Sequence, residues 1–129
     1  MTFGQFLKTL REGKDLGIRE LARLSGQDAA YIYRLEAGEK SSPSDEVLKT
    51  LIRSLKSDER RERVLRFLAE RGEIDDVIVE LVLKDSNIVI EDFESAAGAS
   101  FRESRPETEE QWRRYIAQIK KARQDIEHG

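Results

Sequence analysis

The sequence predicts an all-α protein with two small helical domains, and three observations support that fold class. Apolar residues recur at helical spacing through most of the 129 residues. Glycine, serine, aspartate and proline stand where that spacing is interrupted, as expected at helix ends. Cysteine is absent and charged residues make up 38% of the chain, so neither disulfides nor thiolate metal sites hold this fold together.

The first predicted helix covers residues 3–13, and its apolar side chains share one face: Phe3, Phe6, Leu7 and Leu10. A second helix follows Gly17 and ends at Gly26, a residue type that tolerates the positive φ of a helix C-terminus. Asp28 then caps a third helix, which runs to about residue 37. Two short helices that cross steeply leave one side of the third helix free, and such a helix fits the DNA major groove.

A fourth helix is predicted to begin near Pro43, since proline suits a first helical position. A fifth helix begins near Asp58, which can cap its first turn, and ends at Gly72.

Residues 74–92 leave two alternatives open. The stretches V-I-V-E-L-V-L and N-I-V-I-E-D-F have apolar residues at helical spacing but are rich in β-branched residues. They form either helices or a hairpin that turns at residues 85–87. Residues 98–106 are predicted as an exposed connection, and a last helix covers residues 106–126.

Composition excludes several functions. The chain has no cysteine and one histidine, His128, so it lacks the groups for a metal site or a Ser-His catalytic pair. We therefore expect no enzyme, no metal and no cofactor. No apolar run approaches the roughly 18 residues of a membrane span, and no signal peptide is visible. These features predict a cytoplasmic protein without a membrane partner.

The net charge of −3 is unevenly distributed. Residues 1–56 hold ten Lys or Arg and eight Asp or Glu, whereas residues 57–129 hold thirteen and eighteen. The first segment is thus weakly positive at +2 and the second is −5. A weakly positive domain should bind DNA weakly as a monomer, so tight binding would require dimerisation and two half-sites.

Residues 3–55 resemble the DNA-binding domain of the Xre/Cro/CI repressor family. The resemblance rests on Glu20-Leu21-Ala22, Gly26 in the turn, the ending Leu35-Glu36-Ala37-Gly38, and Pro43-Ser44 downstream. It implies a lambda-repressor-like helix-turn-helix domain over residues 1–56 that binds a double-stranded DNA operator. Expected base contacts are Gln27, Ala29, Ala30, Tyr33 and Arg34. Expected phosphate contacts are Arg19, Lys40, Ser41 and Ser42.

Arg34 is the one residue of the base-contacting set that can make a bidentate contact to guanine. Its alternative roles are a phosphate contact or a salt bridge to Glu36 or Glu39. The sequence departs from the family at Gly17, where serine or threonine commonly caps the second helix, and one helix-two contact is therefore expected to be missing. Glu36 is predicted to be structural, bonded to backbone or to an arginine within the domain.

The second half resembles the C-terminal region of DdrO-like stress-response repressors, because an aliphatic helix and a short acidic helix precede Arg105-Pro106 and Trp112. An ImmA/IrrE-type metallopeptidase cleaves repressors of that kind before their last helix. Carried onto this chain, the resemblance implies a connecting helix over 57–72, a small helical dimerisation domain over 73–129, and cleavage near Phe101 and Arg102.

A homodimer interface is expected to include Ile78, Val82, Phe93, Trp112, Tyr115, Ile116 and Ile119. Tryptophan and tyrosine are enriched at interfaces, and so short a segment can hardly bury all these side chains alone. The alternative is an intramolecular core, and the same residues can share both roles.

Two functions follow from these expectations. The first is a sequence-specific transcriptional repressor that binds a palindromic operator as a dimer. Proteolysis before the last helix would inactivate it. The alternative is an antitoxin that autoregulates its operon and whose second half wraps a toxin. Such a tail would be disordered or monomeric alone and would become ordered on its partner.

Overall fold

The computed structural model describes residues 1–40 and 42–128, and all regular secondary structure in these ranges is helical. The helices in chain order are α1 (Phe3–Gly13), α2 (Ile18–Ser25), α3 (Ala29–Glu36), α4 (Asp45–Leu55), α5 (Glu59–Arg71), α6 (Asp76–Lys84), α7 (Ile90–Ala97) and α8 (Glu109–His128). The chain divides into two compact units, Met1–Glu73 and a second that begins at Ile74. The all-α prediction is confirmed.

Local capping explains where the helices of the first unit begin. The hydroxyl of Thr2 accepts the N–H of Gln5 at 3.2 Å, and the Gln5 side chain accepts the N–H of Thr2 at 2.9 Å. This reciprocal pair satisfies two donors that a helix start would otherwise leave unbonded. In α3, α4 and α5 a single side chain accepts a backbone N–H of the first turn, and these N-cap residues are Asp28, Ser44 and Asp58 respectively.

The core of the first unit draws on all five helices, and α5 packs against α1. Its largest fully buried side chains are Phe6, Leu7, Leu21, Ile32, Leu35, Leu51, Leu55, Leu65 and Leu68. Residues 57–72, predicted as a connecting helix, therefore lie within the first unit, which extends to Glu73 instead of ending at residue 56.

The second unit contains α6, α7 and α8, and α8 packs against both of the others. The hairpin alternative for residues 74–92 is wrong. Ile78, Val79 and Val82 of α6 are fully buried, and burial of each stabilises the unit by about 1.5–3 kcal/mol. That gain exceeds the helix-propensity cost of a β-branched residue, roughly 0.5 kcal/mol.

An ion pair joins α7 to the C-terminal half of α8. Arg123 Nε lies 2.8 Å from one oxygen of the buried Asp92 carboxylate, and Nη2 lies 3.2 Å from the other. The hydrogen bond with Asp92 raises the pKa of Arg123. None of the helices in the described ranges is both long and apolar enough to cross a lipid bilayer.

Candidate nucleic-acid interface

The turn between α2 and α3 has the geometry of a helix-turn-helix. Gly26 ends α2 with φ of 71°, a conformation that costs glycine little. The N–H of Gln27 donates to the Ala22 carbonyl at 3.0 Å. The Asp28 carboxylate then accepts the N–H of Ala30 at 3.1 Å and starts α3. These bonds set the direction in which α3 leaves the turn.

α3 has one buried and one exposed face. Ile32 and Leu35 are 0% and 1% exposed, and they anchor the helix against α1 and α2. Ala30 is exposed, and Tyr33 is 58% exposed. Two of the five residues that the sequence predicted to contact bases are thus exposed on this face of α3.

Gly4 sets how closely α1 approaches the end of α3. A Cβ at this position would lie 2.1 Å from the Leu35 carbonyl oxygen and 2.9 Å from that of Glu36. Only glycine permits this approach. Sequence reasoning missed Gly4; the available signal was its position on the buried face of α1, three residues before Leu7.

A buried ion pair also holds α1 to α3. Arg11 Nε donates to Glu36 Oε2 at 2.7 Å, and Nη2 donates to Oε1 at 2.8 Å. The third nitrogen, Nη1, donates to the Leu16 carbonyl at 2.8 Å. The two side chains are 10% and 5% exposed, and the hydrogen bond with Glu36 raises the pKa of Arg11. The structural role predicted for Glu36 is confirmed, with Arg11 as a partner that sequence reasoning had not assigned.

Arg34 is half-buried on α3, and its Nε is buried without a hydrogen-bond partner among the described residues. The Glu36 carboxylate, one of its two predicted salt-bridge partners, is bonded to Arg11. No ion pair within the described ranges joins Arg34 to Glu39. Within the described residues, the Arg34 guanidinium is thus held by no ion pair.

The other two residues expected to contact bases lie at the start of α3. Ala29 is half-buried at the first position of the helix. Gln27 is also half-buried, and its Nε2 donates to Thr50 Oγ1 of α4 at 3.4 Å. This long bond holds the Gln27 side chain toward α4.

The residues expected to contact phosphate lie at the start of α2 and in the loop after α3. Arg19 is exposed in the first turn of α2. The N-cap of α2, Gly17, makes no side-chain hydrogen bond, so the N–H groups of that turn can donate to an anion. Lys40 and Ser42 are exposed after α3, whereas Ser41 lies outside the described residues.

The second unit buries most of the side chains expected at a dimer interface within a single chain. Five of them have 0–5% exposure and form the core of this unit: Ile78, Val82, Phe93, Trp112 and Ile116. The intramolecular alternative describes their packing, since a fully buried side chain has no surface left for a second copy. Tyr115 and Ile119 are half-buried on α8.

The segment that carries the expected cleavage site packs onto α8. The Phe101 ring centroid lies 5.0 Å from that of Tyr115 and 6.1 Å from that of Trp112. Arg105 lies over the Phe101 ring at 5.4 Å, whereas Arg102 is exposed. The bond between residues 101 and 102 thus joins one anchored side chain to one exposed side chain.

Comparison with known proteins agrees with this geometry. Residues 2–65 match the helix-turn-helix domain family. The chain is 40% identical over 55 residues to the HTH-type transcriptional repressor RghR of Bacillus subtilis (strain 168). The matched segment covers 43% of this chain and 41% of that repressor, so the chain spans less than half of its relative. The resemblance of the first half is confirmed; that of the second half stays a prediction.

Proposed function

We propose that this protein is a sequence-specific DNA-binding transcriptional repressor, because residues 2–65 match the helix-turn-helix domain family. The exposed face of α3 carries the proposal. Ala30 and Tyr33 project from a helix whose other face is anchored by Ile32 and Leu35. The pairing of Arg11 with Glu36 makes that anchoring rigid, so α3 can enter the major groove as a preformed helix.

Arg34 is the proposed base-reading residue. No ion pair within the described ranges holds its guanidinium, and a guanidinium can donate two parallel hydrogen bonds to O6 and N7 of guanine. Ala29 and Ala30 offer small apolar surface suited to a thymine methyl. Tyr33 and Gln27 flank these contacts.

Phosphate contacts are proposed from both sides of α3. Arg19 and the uncapped N–H groups of α2 contact one strand, and Lys40 and the serines that follow it contact the other. Such contacts set the register of the protein on the duplex but read no sequence.

We place the dimer contact on the outer face of α8, where half-buried and exposed side chains follow at helical spacing: Tyr115, Ile119, Ala122 and Ile126. Ile126 is 82% exposed, so its side chain is available to a second copy of the chain. A twofold pair of these faces would present two α3 helices to a palindromic operator. Cleavage between Phe101 and Arg102 by an ImmA/IrrE-type metallopeptidase would detach α8 and separate the dimer.

The well-packed second unit favours a repressor over an antitoxin. Trp112 is 0% exposed, within a core built from three helices. An antitoxin tail that folds on its toxin would instead lack an apolar core of its own.

The test measures fluorescence anisotropy of DNA from the region upstream of the gene, titrated with the full chain. Arg34→Ala should weaken binding to that DNA by about 5- to 150-fold, the value of one bidentate base contact. Arg23→Ala removes an exposed cation of α2 and serves as the matched control. Equal binding by wild type and Arg34→Ala would rule out base reading by Arg34.

Light scattering tests the dimer separately. Wild type should have the mass of two chains, and Ile126→Asp should lower it toward one because a charge would be buried at the α8 face. Loss of DNA affinity in the same variant would tie dimerisation to binding. A monomeric wild-type chain would refute the dimer and favour the antitoxin alternative.

A further inference from the structure

The first unit contains a cleft that the proposed DNA contacts do not use. It has a volume of 490 Å³ and lies between α2, α4 and the segment that follows α1. Leucine side chains provide its apolar walls: Leu16, Leu24 and Leu55. Leu24 is 47% exposed, although it belongs to a helix with a well-packed inner face. The volume lies within the range of small-molecule sites, roughly 300–1,000 Å³.

Three cations border this cleft. Lys14 follows α1, Arg53 lies in the last turn of α4, and Lys56 follows α4. No acidic residue is among the described residues that line it. Within the described ranges, none of the three cations makes an ion pair. The cleft thus combines an apolar interior with a positive rim.

The hydroxyl groups at the cleft already have acceptors. Ser25 donates to the Leu21 carbonyl at 2.7 Å, and Ser54 donates to the Thr50 carbonyl at 2.7 Å. The binding energy of a ligand would therefore come from apolar contact and from the cations. A free inorganic anion would gain little from the leucine walls, whereas a neutral hydrocarbon would gain little from the rim.

We propose that this cleft binds a small anionic amphiphile, a carboxylate with an apolar chain or ring. The apolar part packs against the leucine walls and the carboxylate lies among the three cations. Charge complementarity and the volume of the cleft favour such a molecule over a protein segment. The proposal does not depend on DNA binding, because none of the residues assigned to bases or phosphates lines the cleft.

The experiment titrates octanoate into the ¹⁵N-labelled full chain and follows the amide signals by NMR. We expect saturable shifts at residues 14–16, 24–25 and 50–56. The alcohol 1-octanol has the same chain without the charge, and it should bind about tenfold more weakly or worse because charge-assisted hydrogen bonds are lost. Inorganic phosphate should cause no saturable shift in this region.

Two variants and one matched control test whether Arg53 and Leu24 contribute to octanoate binding. Arg53→Gln should weaken octanoate binding by about two- to fivefold, as expected for one exposed ion pair. Leu24→Gln should weaken it by shortening the apolar wall. Lys49→Gln removes an exposed cation of the same helix outside the cleft and should leave binding unchanged. All three positions are exposed, so the variants should fold, and their amide spectra check this.

Three outcomes would overturn the proposal. The first is the absence of saturable shifts in wild type, and the second is equal binding of octanoate and 1-octanol. The third is a set of shifts centred in the second unit, since an apolar chain bound there would not be using this cleft.

Discussion

Replacing Glu36 with glutamine keeps the shape of the side chain but removes the charge that Arg11 faces. In the wild-type protein the two charges share two short hydrogen bonds, of 2.7 and 2.8 Å, at a position where neither side chain is more than 10% exposed. The glutamine amide oxygen can accept one of the two hydrogen bonds from Arg11. The amide nitrogen, itself a donor, then faces the second N–H of Arg11 and cannot accept it. Arg11 would therefore stay buried, and the nearest remaining carboxylate would be that of the exposed Glu12, 3.9 Å from Nη2.

The cost follows from the burial. Removing one partner of a buried pair typically destabilises a protein by about 3–5 kcal/mol. Arg11 keeps its hydrogen bond to the Leu16 carbonyl at 2.8 Å, and one bond to position 36 survives. We therefore expect Glu36→Gln to lower the free energy of unfolding of the first unit by about 2–3 kcal/mol. That is a large fraction of the roughly 5–15 kcal/mol that stabilises a typical domain.

Amide hydrogen exchange of the full chain, read by mass spectrometry, measures the loss of stability separately in each helix. Peptides from α1 and α3 should lose protection in Glu36→Gln, while peptides from α8 provide an internal reference. Glu39→Gln is the control, because Glu39 is exposed and such substitutions usually change stability by less than about 0.5 kcal/mol.

A double variant separates the charge from the packing. Arg11→Met combined with Glu36→Leu removes both charges, and buried pairs replaced in this way are often as stable as the original. The double variant should thus be more stable than either single variant. Unchanged protection of α1 and α3 in Glu36→Gln would refute the view that this pair holds the two helices together.

Three further predictions concern other parts of the fold. Gly4→Ala should destabilise the first unit in thermal unfolding by about 1–3 kcal/mol or more through overpacking, whereas Gly13→Ala, with nothing within 4 Å of an added Cβ, should be neutral or stabilising. Trp112→Ala should cost about 3–5 kcal/mol by circular dichroism in denaturant; a small loss would show that the second core is loosely packed. The hydrogen bond from Lys84 lowers the pKa of Glu109, so Glu109→Gln should be less stable than wild type at neutral pH. This deficit should diminish as the pH falls below the usual glutamate pKa and vanish below the lowered pKa of Glu109. A deficit that does not change with pH would contradict this linkage.

Several helix boundaries could be predicted because their causes are local. Residues 3–13 were predicted as a helix, and α1 has these bounds. The positive φ at Gly26 and the cap at Asp28 likewise depend on residues within one turn of each other. Information of this kind can be read directly from the spacing of the sequence.

The support of α3 could not be read in the same way. Arg11 and Glu36 are 25 residues apart, and Gly4 and Leu35 are further apart still. Glu36 was predicted to be structural, but which cation it meets depends on which faces of α1 and α3 pack together. An arginine on an amphipathic helix looks like a surface residue until that packing is known.

The second half shows the same division between local pattern and long-range packing. Spacing alone left residues 74–92 open between helices and a hairpin, and burial of Ile78 and Val82 decided it in favour of helices. Trp112 and Phe93 were expected at a dimer interface, yet both are fully buried inside one chain. By itself the sequence determined where most helices begin and end and that the third helix has an exposed face, because capping and periodicity act over a few residues. The tertiary structure decided which apolar faces meet and which charges are buried as pairs, because burial depends on segments distant along the chain.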